Sequence, residues 1–243
     1  MKVTSSRLWN TFYQHLVPEI DAPKIKFLGV FDSVPGTYWS KLRRKFVQLQ
    51  FEHETLDAWI EYAFQLLSID DNRNPSYKPF LWRKTSHTRQ SFDQVWMPGV
   101  HADLGGNSGS VFLNNVAFLT MIGVAKARCN FKPWDWDEER FNEAINALQS
   151  VPPLPVVISS ERGKFWNPNR ALFFGKRSIG EAKYHSQSLH PIIDVLLGKP
   201  ISIRGRTAPY LPRNVTEGAS ALPRFQIPIY HDLILKETKR AVP

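Results

Sequence analysis

The run Lys-Ile-Lys-Phe-Leu-Gly-Val-Phe-Asp at residues 24–32 constrains this chain more than any other feature. Its second half is apolar at successive positions. An extended segment of that kind must bury both faces, which is the situation of an inner strand in a parallel sheet. A second apolar run at 92–97 stops at Pro98 and Gly99 and reads as another strand. Residues 111–127 form the longest apolar stretch, yet Asn114, Asn115 and Lys126 interrupt it. It is too short and too polar to span a membrane and reads as a buried helix, with Ser108 or Ser110 as its N-cap. Residues 53–67 place Leu56, Trp59, Ile60, Ala63, Phe64 and Leu67 at helical spacing, so a helix is expected there. Strands alternating with helices predict an α/β fold, a partial parallel sheet with crossover helices over residues 1–130.

The rest is less patterned. A short amphipathic helix is expected at 6–16, ended by Pro18, with loops at 70–79 and 100–110. Beyond residue 130 a helix with an acidic first turn is expected at 137–148, followed by a proline-rich break at 151–155. Few periodic segments follow, apart from short helices at 190–197 and 230–240. Residues 131–243 are therefore expected to be an irregular, mostly helical extension of the same domain, acting as a lid or a surface-binding region. The chain has 243 residues, 42% of them hydrophobic, enough to fill one core. Its single cysteine, Cys129, excludes an internal disulfide framework and a thiolate zinc site.

Formal net charge is +9, and its distribution says more than its size. Residues 161–213 hold ten Lys or Arg against Glu161, Glu181 and Asp194. Such a surplus attracts an anionic membrane surface or nucleic acid, and it is equally what a solvated basic face without a partner looks like. Residues 1–10 contain no apolar segment of the length a secretory signal needs, so cytoplasmic synthesis is the expectation.

Three segments could carry chemistry. Asp32 follows an apolar strand at the end where open parallel sheets place working residues. His101 follows the second strand in a loop loosened by Gly99, Gly105 and Gly106, and an imidazole there is a candidate general base. Asp70, Asp71 and Arg73 form a charged turn. No metal or cofactor is implied: His53-Glu54-Thr55-Leu56-Asp57 is only half of an H-E-x-x-H motif, and neither a Walker A nor a G-x-G-x-x-G sequence occurs.

Three strings share a family likeness. Phe-Asp-Ser-Val-Pro-Gly at 31–36 resembles the W-D-T-V-G segment of DUF2235 proteins, and Leu-Leu-Ser-Ile-Asp-Asp-Asn-Arg at 66–73 resembles their A-L-S-I-D-E-x-R. Residues 94–106 are similar to V-W-F-P-G-V-H-S-D-V-G-G. Weaker echoes are Tyr184-His185-Ser186-Gln187-Ser188 for an H-x-S segment and Ala208-Pro209-Tyr210-Leu211-Pro212 for a Y-x-P segment.

That group of α/β-hydrolases includes the catalytic domain of type VI secretion phospholipase effectors. The resemblance implies a Ser-His-Asp triad in which His101 takes the serine proton and Asp32 orients the imidazole. Asp103 competes with Asp32 for the acid role, while Asp70 and Arg73 are candidate supporting residues. Phospholipid or another acyl ester is the implied substrate, the segment 161–213 suits a headgroup surface, and export as an effector is implied too.

No G-x-S-x-G nucleophile elbow occurs in the sequence; Gly106-Asn107-Ser108-Gly109-Ser110 lacks the second glycine and follows the histidine. The chain is therefore expected to supply the acid and the histidine without the nucleophile, and to be inactive on lipid esters alone. The competing expectation is a noncatalytic relative that grips anionic lipid or nucleic acid through its basic segment.

Overall fold

A computed structural model describes residues 25–34, 54–72, 78–86, 88–106, 110–129, 135–159 and 177–242. The helix expected at 6–16, together with Ser108, Arg73 and the basic residues of 161–176, lies outside the described residues.

Among the described residues the central sheet is parallel throughout. Its four strands, β1 (Ile25–Phe31), β3 (Ile60–Ser68), β5 (Ser91–Met97) and β7 (Gln187–Leu189), lie in the order β1-β3-β5-β7. β1 and β5 fall where the apolar runs placed strands. β3 corrects the helix expected over 53–67. Its sequence, IEYAFQLLS, is buried at every position except Glu61. A strand buried on both faces carries a near-continuous apolar run, which satisfies a helical stripe by default.

Helix α1 (His101–Gly105) replaces part of the expected glycine-rich loop, and α2 (Val111–Cys129) is the buried helix the sequence announces. α2 packs across β1 and β3, where Phe112, Leu113, Val116, Leu119 and Val124 join Tyr62, Phe64 and Leu66 in the main core. A smaller cluster of Leu56, Ile60, Ala63, Trp82 and Phe92 forms apart from that core. The parallel pair β2 (Thr55–Leu56) and β4 (Lys84–Thr85) contributes Leu56 to it. Both faces of β3 and of the later part of β5 are thereby buried, whereas β1 ends the described strand order and leaves Ile25, Lys26 and Gly29 exposed, which corrects its expected place as an inner strand buried on both faces.

The helix expected at 137–148 is α3 (Asp135–Leu148), and α4 (Ile192–Leu196) and α6 (His231–Ala241) lie close to their expected positions. Between them the structure adds strands that periodicity did not reveal. β6 (Val157–Ile158) pairs parallel with β8 (Pro200–Ile203), which pairs antiparallel with β9 (Arg206–Pro209). These strands have two to four residues each, too short to establish a period. β7 closes on β5, and Trp96 Nε1 donates to Gln187 Oε1 at 3.0 Å, joining the later half of the chain to the sheet. A four-residue helix, α5 (Arg213–Thr216), precedes α6.

Close packing of α2 on β1 depends on Gly29. A methyl group there would lie 2.6 Å from Met121 Sδ and 2.8 Å from the Phe27 ring. Gly29→Ala is expected to cost at most about 1 kcal/mol, because the crowded atoms are the ends of side chains that can move aside, read as a small fall in the urea midpoint with an unchanged slope.

Candidate active site

All four main strands point the same way, so their carboxyl ends share one edge of the sheet. β1 delivers Asp32 there, β3 delivers Ser68 and the turn Ile69-Asp70-Asp71, and β5 delivers Gly99 and His101. Register brings the neighbours level: Phe31 lies opposite Leu66, and Ser68 opposite Met97. The Asp32 amide donates to Leu66 O at 2.7 Å, one step beyond the strand pairing.

Asp32 then leaves the strand with φ 47°, a left-handed conformation that Asp adopts more readily than most side chains. Its carboxylate is fully buried and accepts five hydrogen bonds. Ser68 N donates to Oδ1 at 3.1 Å and Ser68 Oγ to Oδ2 at 3.1 Å. Arg177 Nη2 donates to Oδ2 at 2.9 Å, while its Nη1 donates to Oδ1. His101 Nδ1 lies 2.8 Å from Oδ2. Burial alone would raise this carboxyl's pKa. The His101 hydrogen bond, the Arg177 charge and hydrogen bond, and the Ser68 amide outweigh it and hold the group at about 2. An ionised carboxylate only accepts, so Nδ1 of His101 carries the hydrogen and Nε2 is the basic nitrogen of the neutral ring.

His101 is the first residue of α1, and its side chain is 34% exposed while Asp32 is closed off from solvent. The pair thus has a buried acid end and an accessible base end. The loop before His101 is held in place by Asp70. Gly99 N donates to Asp70 Oδ2 at 2.8 Å, Asp70 N donates to Gly99 O at 3.0 Å, and Tyr210 Oη donates to the same carboxylate oxygen at 2.9 Å. Gly99 has φ +121°, where a side chain would be strained and would also crowd Asp103.

Asp103 faces elsewhere. Its Oδ2 accepts from Val100 N at 2.9 Å and from Ser159 N at 3.1 Å, which caps α1 and ties it to β6. Among the described residues it is Asp32, not Asp103, that meets the imidazole. No group of three or more His, Cys, Asp or Glu among the described residues is placed to hold a metal ion.

Residues 11–124 match the family model of the type VI secretion (T6SS) phospholipase effector Tle1-like catalytic domain. The resemblance read from the motifs is to this family. The match covers just under half of the chain and includes β1, β3, β5, Asp32 and His101. Arg177, Tyr210 and β7 lie beyond it. No curated protein and no solved structure matches the chain.

Sequence reasoning missed three participants. Ser68 lay inside the Leu-Ser-Ile-Asp string and Tyr210 inside the Tyr-x-Pro echo, so the motifs marked both without assigning them a role. Arg177 belongs by sequence to the basic segment 161–213, for which a surface role is expected, and the structure corrects this: its side chain is 2% exposed and paired with Asp32. Its neighbours in sequence gave no sign of burial.

The two carboxyls have opposite pH signatures. Burial lifts Asp70 to about 6 against the hydrogen bonds from Gly99 and Tyr210. With a folded pKa above its ordinary value, Asp70 makes the protein more stable as pH falls from about 6 towards 4, because the folded state takes up the proton first. Asp32 is depressed, so its contribution is lost as pH falls from about 4 to 2. Buried His190 works against Asp70 over this range: its pKa is lowered to about 3, so its contribution is lost as pH falls from about 6.5. The Asp70 contribution is therefore read as the difference in denaturant midpoint between wild type and Asp70→Asn, which should move in favour of wild type from pH 7 to pH 4.5.

Proposed function

We propose that Asp32 and His101 are the acid and the general base of a serine ester hydrolase acting on phospholipid. His101 Nε2 takes the proton of an attacking hydroxyl, and buried Asp32 keeps the ring in the required tautomer and stabilises the imidazolium that forms. The observation that carries this reading is the 2.8 Å contact from Nδ1 to a buried, ionised carboxylate with the ring itself reaching solvent. The Tle1-like family match supports phospholipid as the substrate class, and delivery by type VI secretion as the route.

The nucleophilic serine is supplied from outside these 243 residues, since no G-x-S-x-G elbow occurs in them. The basic surface contributes to lipid engagement through the exposed Lys199, Arg204, Arg206 and Arg213, which lie on and beside the β8–β9 hairpin. No helix among the described residues is long and apolar enough to cross a membrane. Contact with lipid would then be peripheral, with binding to anionic vesicles that weakens as salt rises.

The test is fatty-acid release from phosphatidylglycerol vesicles by the chain alone and by the chain joined to the polypeptide encoded immediately upstream. The expected outcome is no release by the former and release by the latter. Hydrolysis by the chain alone that His101→Ala abolishes would mean that it holds its own nucleophile. Inactivity of both forms would refute the hydrolase reading.

A further inference from the structure

The acid of the pair is held from behind by a residue of the later half of the chain. Arg177 is buried beneath the strand ends, with both terminal nitrogens on the Asp32 carboxylate. Its Nη1 also donates to Ser68 O at 3.1 Å, and its Nη2 lies 3.6 Å from Asp71 Oδ2. The backbone is anchored as well: Asn214 Nδ2 donates to Arg177 O at 3.4 Å and to Ile69 O at 3.0 Å. The planar guanidinium fork therefore has little freedom to turn. A carboxylate gripped at both oxygens by such a fork is fixed in plane as well as in position.

We propose that Arg177 is a positioning residue for the acid–base pair, its guanidinium fixing the plane in which Asp32 presents Oδ2 to Nδ1 of His101. This rests on the reading of Asp32 and His101 as acid and base. Arg177 itself is too deeply buried to meet substrate. Its charge also opposes the effect of burying the carboxylate, so the acid stays ionised where an unpaired buried Asp would take up a proton. The fork grips both oxygens, whereas a lysine ammonium would supply charge without that planar constraint.

The experiment follows Asp32 and His101 directly by NMR in the folded chain, using ¹³C at Asp carboxyls and ¹⁵N at His rings, in wild type, Arg177→Met and Arg177→Lys. Arg177→Met should raise the Asp32 titration by about 1–3 pH units, and the ¹⁵N signals should show the ring losing its preference for hydrogen at Nδ1. Arg177→Lys should keep most of the low titration yet still loosen the tautomer, because it restores charge without the fork. A purely structural role would lower the denaturation midpoint and leave both signals unmoved in the folded protein, and that result would overturn the proposal. Failure of both variants to fold would overturn it likewise. Neither readout needs substrate: if the chain shows these shifts while the form joined to its upstream polypeptide hydrolyses no ester, the esterase reading alone is refuted.

Discussion

His101→Ala should abolish ester hydrolysis in the form that contains the nucleophile, with a loss on the order of 10⁶-fold in kcat, while the protein stays folded. The size of the loss comes from removing the group that, among the described residues, is placed to take and return the proton. Little stability is lost, because the ring is 34% exposed and its bond to Asp32 is a single hydrogen bond at the edge of the site. That bond is worth roughly 1–3 kcal/mol, and the carboxylate keeps Arg177 and Ser68 when it goes. Vesicle assays of fatty-acid release and a urea titration read the two effects separately. A variant that keeps a tenth of the activity would remove His101 from the base role.

Asp32→Ala should be the most destabilising single substitution at the site, by about 3–5 kcal/mol. The reason is what it leaves behind. The Arg177 guanidinium is 2% exposed, and without Asp32 its nearest described carboxylate is Asp71 at 3.6 Å. A buried charge that keeps the longer Asp71 pair and the Ser68 carbonyl but loses both bonds to Asp32 is poorly compensated for its lost hydration. Alanine also tolerates the φ of 47° poorly, adding roughly 1–2 kcal/mol. The double variant Asp32→Ala/Arg177→Met should be more stable than Asp32→Ala alone, because it removes the stranded charge together with its partner. Equal or lower stability of the double variant, by chemical denaturation at pH 7, would show that the pair is not the source of the cost.

The parts of the site that were legible in the sequence are those whose position follows from strand ends. Asp32 and His101 each follow an apolar run, and in a parallel sheet the ends of β1 and β5 lie along one edge, with β3 between them. Asp70 was marked by its motif, although its task, bracing Gly99, was not. β3 was misread because a doubly buried strand hides its period of two. The short strands β6, β8 and β9 were invisible for the opposite reason, having too few residues to display any period.

Arg177 shows the limit most clearly. Its sequence context is basic, and a cation in a basic segment belongs by default on the surface. It is buried because its partner lies 145 residues away in sequence, at the end of the first strand. Local pattern by itself determined the α/β class, the strands β1 and β5, the buried helix α2 and the two residues at the strand ends, since each depends on burial periodicity within a few residues. Only the tertiary structure decided that Asp32 rather than Asp103 faces the imidazole, and that an arginine from the later half of the chain holds that acid in place. Both depend on strand order and register, which bring distant residues within hydrogen-bond reach and which no local window of sequence contains.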